Sequence, residues 1–370
     1  MKVKVNLKKK VDCGYDILIK AGLSKNLARQ IIKDNFGNSY CIITDSNMKR
    51  IFGKKLVKQF KKMKVKVDII SFSAGEKNKN LKTVEKILDQ MLAKGFDRKS
   101  CVVALGGGIV GDIAGFCAAT YKRGIRFIQI PTTLLAMVDS SIGGKTGVNL
   151  SRGKNSVGTF TQPQKVYVCP EFLDSLAQRE IRNGLAEIVK HAVLRDAKFF
   201  DYIDKNVQKL LVCDKKTLVK VVKRNCEIKA KVVEKDEKEG NYRRIVNFGH
   251  TIGHAIEILG NYKSHGHGEA VAIGMVVESE ISKELGLLKE NEVQRIEKLL
   301  HKIGLPVRIP KGEKYSLNKI FELTKSDKKT ISGKVYYSLP EKIGKMHSKK
   351  GSFGTKVDKK IIMKALRRYS

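Results

Sequence analysis

The chain predicts an α/β fold. A parallel sheet flanked by helices spans residues 1–174, and a mainly α-helical domain follows over residues 175–370. Three observations carry this expectation. Short apolar segments of strand length alternate with helix-period segments through the first half. The polar and glycine-rich motifs fall at the carboxyl ends of those apolar segments, where open parallel sheets bind ligands. Beyond residue 174 the strand signals fade and apolar positions recur at helical spacing.

In order along the chain, Lys2–Leu7 and Tyr15–Ile19 alternate as a hairpin or two adjacent strands. Leu23–Phe36 reads as a helix opened by Ser24. Tyr40–Thr44 is an apolar strand ending in Asp45-Ser46-Asn47, and a helix follows it. Val65–Phe72 is the next strand, and the polar turn Ala74-Gly75-Glu76-Lys77-Asn78-Lys79 leads into a helix over Leu81–Lys94. Cys101–Leu105 is wholly apolar, as a strand covered on both faces must be. Phe127–Ile130 and Val166–Val168 are two more strands. In the second half, helices are expected around 184–192, 250–259 and 317–323, then a hairpin at Gly333–Leu339. The basic tail Lys342–Ser370 closes with a short helix, and no internal repeat is present.

Bulk properties narrow the function. With 370 residues, 42% hydrophobic and 30% charged, the chain is an ordinary globular protein with room for two domains. The N-terminus lacks the apolar core of a signal peptide, and no run of about 18 apolar residues exists to span a membrane. Seven cysteines without a C-x-x-C pair read as reduced core thiols of a cytoplasmic protein. The net charge of +37 suits an enzyme of anionic substrates or a nucleic-acid binder. The excess lysine is spread widely, aromatics are 7%, and no nucleic-acid motif is found, so solvated lysine surface is the reading and nucleic acid is not an expected partner.

Chemistry concentrates in Asn247–Glu257. Ile252, Ala255, Ile256 and Leu259 give a helix one buried face, Gly260 ends it, and His250 and His254 share another face. Ser264-His265-Gly266-His267-Gly268-Glu269 follows at once. Imidazole is the commonest metal ligand, and a catalytic centre takes three protein ligands with one position open. A carboxylate from elsewhere completes such a set. Thr251 stands where a metalloprotease helix carries its Glu. On the helix around 184–192, Leu185, Ile188, Val189 and Ala192 form the apolar face, while Glu187, Lys190 and His191 lie opposite. That opposite face is either a salt-bridged solvent face or the source of the third ligand, Glu187.

Two glycine-rich stretches follow strands. Gly106-Gly107-Gly108-Ile109-Val110-Gly111-Asp112 matches G-x-G-x-x-G, in which glycines let backbone amides approach a pyrophosphate at a helix start. It departs from the dinucleotide fingerprint because no acid lies about 20 residues on, although Asp45 can take the ribose role. Gly144-Lys145-Thr146 is not a Walker loop, because Asp139 occupies the place of its first glycine. With Gly153-Lys154-Asn155 it makes a glycine-rich basic loop suited to an anion.

Together these motifs, with Arg123-Gly124, Pro131–Asn149 and His267–Met275, resemble the 3-dehydroquinate synthases of the sugar-phosphate cyclase superfamily, from Asp45 to about Lys329. The resemblance implies a Rossmann-like NAD-binding domain, a helical metal-binding domain and an active site in the cleft between them. It implies Glu187, His250 and His267 as ligands of one divalent metal, zinc or cobalt, with an exchange of His265 for His267 left open. For NAD it implies Asp45, Asn47 and the Ala74–Lys79 turn; Gly108, Ile109, Val110, Gly111 and Asp112; Thr132, Thr133, Lys145 and Lys154; and Phe172, Leu173, Asp174 and Ser175. For substrate it implies Asp139, Lys145, Asn155, Lys190, Lys229, Arg243, Asn247, His254 and Lys328, with Arg123 reaching the phosphate held by a neighbouring subunit of a homodimer. The implied reaction converts 3-deoxy-D-arabino-heptulosonate 7-phosphate to 3-dehydroquinate and phosphate, a carbon–oxygen lyase step of the shikimate pathway to aromatic amino acids. It runs through transient oxidation by NAD+, phosphate elimination, re-reduction and intramolecular aldol closure. The alternatives are another sugar-phosphate cyclase, such as a 2-deoxy-scyllo-inosose synthase, or a metal- and NAD-dependent polyol dehydrogenase.

Overall fold

The structure is a computed structural model that describes residues 12–151, 153–325 and 335–370. Eight strands lie in its first half: β1 (Asp16–Ile19), β2 (Ser39–Asp45), β3 (Lys66–Phe72), β4 (Cys101–Gly106), β5 (Arg126–Pro131), β6 (Lys145–Leu150), β7 (Gly153–Phe160) and β8 (Lys165–Val168). Six of them form one parallel sheet in the order β1-β8-β5-β4-β2-β3. Strand alternation divides its side chains between two cores. Tyr40, Ile42, Val103 and Leu105 pack with α1 (Leu27–Asp34) and α2 (Lys54–Lys62) on one face. Cys41, Ile43, Val102 and Ala104 pack with α3 (Leu81–Ala93) and α4 (Gly108–Thr120) on the other. The carboxyl ends of β2, β4 and β5 are neighbours, which brings Asp45, Gly106 and Pro131 to one edge.

The second half is built from α5 (Gln178–Arg195), α6 (Ala197–Lys205), α7 (Lys215–Lys235), α8 (His250–Leu259), α9 (His267–Glu284), α10 (Glu290–Ile303), α11 (Leu317–Lys325) and α12 (Lys359–Arg368). The core under the α1/α2 face of the sheet runs unbroken into these helices, joining Leu134, Met137 and Val166 to Leu185, Ile188 and Val189. Glycines set the closest approaches. At Gly253 a Cβ would lie 3.1 Å from Ala270 O, and at Gly274 it would overlap the carbonyl of Gly249, so α8 and α9 touch backbone to backbone. Five cysteines are buried, and all seven are free thiols, as the odd count anticipates. Among the described residues no helix is long and apolar enough to cross a membrane.

Four expectations need correction or fall outside the structure. Lys2–Leu7 lies outside the described residues, and β1 pairs in parallel with β8. The first helix enters through a 3-10 turn, Leu23–Asn26, after Gly22 at φ 80°, without a side-chain cap. The basic glycine-rich stretch is an ordered antiparallel ribbon of β6 and β7 rather than a loop. Gly147 and Gly158 face each other in it, and a Cβ on either would overlap the opposite backbone, so the glycines close the strands together. Residues 333 and 334 lie outside the described set, and Tyr336–Tyr337 pairs with Thr355–Lys356 instead of turning back on itself.

Because Gly274 has backbone against it, Gly274→Ala must push α8 from α9. Overpacking of this kind costs about 1–3 kcal/mol, and the expected outcome is a lower denaturant midpoint on equilibrium unfolding with little change in slope.

Candidate metal centre and cleft

The three residues opposite the apolar face of α5 are all buried: Glu187 and His191 are 0% exposed and Lys190 is 1%. The solvent-face reading is thereby overturned, because α5 is covered on both sides. Gly184 admits the turn after β5, where a Cβ would come within 2.6 Å of Leu134, and Gly268 admits the Asn183 backbone at 2.5 Å.

His250 and His267 are the first residues of α8 and α9, and both present Nε2 to Glu187 Oε1, at 3.7 and 3.5 Å. Nδ1 of His250 lies 3.2 Å from the Phe248 carbonyl, and Nδ1 of His267 lies 3.4 Å from Glu257 Oε1. Such contacts fix which nitrogen faces inward. The three donor atoms lie within 4.8 Å of one another. His265 is turned away, with Nδ1 3.3 Å from the Tyr315 hydroxyl, so the geometry brings His267 to Glu187 and leaves His265 out. His254 stands beside the set, its ring 5.4 Å from that of His250.

The donors suit a divalent cation. Neither Glu187 oxygen has a hydrogen-bond partner, although Lys190 forms an ion pair with one of them. Burial would push the Glu187 carboxyl up, but Lys190 and His267 outweigh it and hold it at about 2. Burial likewise works against a charged His267 ring, yet Glu187 and Glu257 raise it to about 10. The centre therefore holds a positive charge between carboxylates, and a cation on a His2Glu set with one position open can take the place of that proton.

Next to it lies a second buried group. Lys229 Nζ is 2.5 Å from Asp139 Oδ1, and His191 Nε2 is 3.4 Å from the same oxygen. His191 Nδ1 meets Asn225 Oδ1 at 2.9 Å, while the Asn225 amide donates to Val138 O at 2.6 Å. Burial disfavours the Asp139 anion, but Lys229 and Lys190 keep its carboxyl well below the usual range. Burial lowers Lys229 in turn. The two lysines balance the two carboxylates, so a bound dication would leave the cleft positive, as an anionic ligand requires.

Several of the other predicted residues engage one another around this group. Lys145 pairs with Glu239, which also accepts from Asn247 Nδ2 at 3.0 Å. Arg243 is 1% exposed, and its guanidinium donates to Gly143 O at 3.1 and 3.2 Å. The Tyr15 hydroxyl accepts from Gly143 N at 3.1 Å. Lys79 donates to Asn155 Oδ1 at 2.5 Å and pairs with Asp112, whose carboxyl burial raises. Asn149 donates to Glu76 Oε1 at 2.8 Å, so the β6–β7 ribbon is fastened to the turn after β3. Lys154 lies 3.7 Å from Glu76 and 3.7 Å above the ring of Tyr262. In the glycine stretch, a Cβ on Gly107 would come 3.1 Å from Thr133, and one on Gly108 would come 3.0 Å from Ser140 Oγ. Thr132 Oγ1 is buried there without a hydrogen-bond partner. Asp45 accepts from the amides of Asn47 and Met48, at 2.8 and 2.9 Å.

Two predicted places are not brought to this group by their side chains. Phe172 and Leu173 are buried in the core, and Asp174 pairs with Lys215. Arg123 is exposed beyond the far end of α4, about 20 Å from the glycine stretch at 1.5 Å per residue. Lys328 lies outside the described residues. Conversely, Tyr15, Asn225, Glu239 and Glu257 were not picked out by sequence reasoning. Glu257 had a signal: it falls at i+7 from His250 and i+3 from His254, on their face of the helix.

A parallel sheet joined to a helical half is a fold shared with solved sugar-phosphate cyclases. The chain is similar to 2-deoxy-scyllo-inosose synthase, solved with carbaglucose-6-phosphate, NAD+ and Co2+, at 30% identity and TM-score 0.87 over 96% of each chain. It is similar to 2-epi-5-epi-valiolone synthase of Streptomyces hygroscopicus, solved with NAD+ and Zn2+, at 29% identity and TM-score 0.89 over 99% of each chain. Within that class, the chain belongs to the 3-dehydroquinate synthase family. Residues 69–183 match the model of the family's N-terminal part and residues 184–330 that of its C-terminal part. The 3-dehydroquinate synthase of Thermodesulfovibrio yellowstonii is 44% identical over 332 residues, 90% of this chain and 92% of the relative.

Cation binding at this centre must displace the proton on His267. Affinity should therefore rise about tenfold per pH unit up to the folded value near 10, with about one proton released per cation at pH 8. Calorimetry of zinc binding in buffers of different ionisation enthalpy measures this. In the metal-free chain the raised pKa works the other way. It contributes stability that is full below the ring's ordinary 6.5 and lost as pH rises through about 10.

Proposed function

We propose that this chain is a 3-dehydroquinate synthase that converts 3-deoxy-D-arabino-heptulosonate 7-phosphate to 3-dehydroquinate and phosphate, with NAD+ and one divalent cation, zinc or cobalt. The observation that carries the reading is the meeting of Glu187, His250 and His267 with Asp139, Lys190 and Lys229 in one place, with Glu187 and Lys190 fully buried at its floor. Identity supports this substrate over the inosose or valiolone precursors: 40–44% to curated 3-dehydroquinate synthases against 29–30% to the solved cyclases of other substrates.

NAD+ supplies a transient hydride acceptor and the cation a Lewis acid. The chain's own residues bind and orient. Glu187, His250 and His267 hold the cation, with Glu257 keeping His267 Nε2 inward. The amides after Gly107 at the start of α4, with Thr132, Thr133, Asp45 and the turn around Glu76 and Lys79, would hold the dinucleotide. Lys145, Lys190, Lys229 and Arg243 answer the substrate's carboxylate and phosphate, and Asn155, Asn247 and His254 orient its hydroxyls. Asp139 keeps Lys229 charged and in place. Asp139 and Glu239 are each engaged with a lysine, which supports the departing phosphate as the base for its own elimination. Arg123, remote within its own chain, fits the homodimer in which it serves a neighbour's phosphate. A biosynthetic enzyme of this kind works in the cytoplasm.

Supplied with the heptulosonate phosphate, catalytic NAD+ and zinc, the chain should release phosphate without accumulating absorbance at the NADH band, and a chelator should stop it. Glu187→Gln should lower phosphate release on the order of 10³-fold, the several kcal/mol a Lewis acid supplies. NADH accumulation with a polyol, and no phosphate release, would make the chain a dehydrogenase instead.

A further inference from the structure

Glu278 belongs to none of the groups above, yet it touches the framework that carries two of the donors. It lies on α9 with 0% exposure, and its carboxylate accepts from the amides of Gly249 at 2.7 Å and Ile252 at 3.2 Å. The first amides of a helix have no partner within it, and the residue before the helix ordinarily supplies a cap. Before α8 that residue is Gly249, in the left-handed region at φ 79° and without a side chain. The cap comes instead from the neighbouring helix, and His250 sits between the two amides it holds.

The register makes this a tie between two ligands. His267, Val271, Gly274 and Glu278 fall along one side of α9 at helical spacing. Where Gly274 meets Gly249, a side chain on Gly249 would strike Met275 Cγ at 2.6 Å. The inward tilt of the His250 ring is set by the short segment Phe248–His250, through its Nδ1 contact with the Phe248 carbonyl. Glu278 clamps that same segment. A buried carboxylate on two amides at a helix start is a charge-assisted contact favoured by the helix dipole.

We propose that Glu278 is a positioning residue for the metal centre: by capping α8 from α9, it sets where His250 stands relative to His267. The inference rests on the reading of Glu187, His250 and His267 as a cation site. Its test uses the full chain stripped of metal and titrated with Co2+, read by the visible cobalt spectrum and by competition with a chelator. Glu278→Gln keeps the volume but turns an amide N–H toward one of the backbone N–H groups. The expected result is a Co2+ affinity lower by about 10–100-fold, the usual effect of removing a partner behind a ligand, with altered cobalt bands. Glu187→Gln is the control. If the wild type takes up no cobalt, or Glu187→Gln binds as tightly, the metal reading fails and this inference with it. If the wild type binds, Glu187→Gln does not, and Glu278→Gln keeps wild-type affinity and spectrum, the positioning role alone is overturned, whatever happens to the melting temperature. Should Glu278→Gln fail to fold, Glu278→Asp, shorter by one methylene, is judged by the same two readings.

Discussion

Glu187 sits in the middle of α5 with none of its side chain exposed, and a charge in such a place has to be answered by groups that are buried with it. Lys190 answers from one turn along the same helix, and His250 and His267 approach from the starts of two others. Those answers bring charges of their own. Asp139 and Lys229 form a second buried pair alongside, and His191 and Asn225 close the polar network back onto the Val138 carbonyl. None of this fits without close backbone approach. Gly184 against Leu134, Gly268 against Asn183 and Gly274 against Gly249 are where the helices come near enough for the charged atoms to meet.

The sheet serves the same cleft from its other side. The carboxyl ends of β2, β4 and β5 lie together, and the ribbon of β6 and β7 is fastened there through Lys79, Asn155, Asn149 and Glu76. Lys145 and Lys154 stand on that ribbon and reach partners in the helical half, Glu239 and the ring of Tyr262. The two halves are thus joined by an uninterrupted apolar core and also by ion and cation–π contacts across the cleft.

Much of this was legible in the sequence because the signals were local. Strands buried on both faces, such as β4, are apolar throughout, and the α8 helix shows its apolar face and its terminating glycine. Clustered histidines and glycine stretches after strands marked the site. What escaped depends on distant parts of the chain. Glu187, Lys190 and His191 have the spacing of a solvent face, and only the elements packed over α5 bury them. The β6–β7 ribbon reads as a loop because the glycines that let its strands meet are also the residues that usually break strands. Spacing alone could not choose between His265 and His267. In the structure His267 faces Glu187 at 3.5 Å, while His265 lies against the Tyr315 hydroxyl. Glu239 and Glu278 look in the sequence like any surface acid, and only their partners, with burial in the case of Glu278, set them apart.

The three donors come from α5, α8 and α9, with dozens of residues between Glu187 and His250. An ion held by all three acts as a removable cross-link between distant parts of the chain. The unfolded chain cannot keep three such donors together, so the ion favours the native state by mass action. Bound there, such an ion would make opening of the chain, and with it exposure to proteases, less frequent.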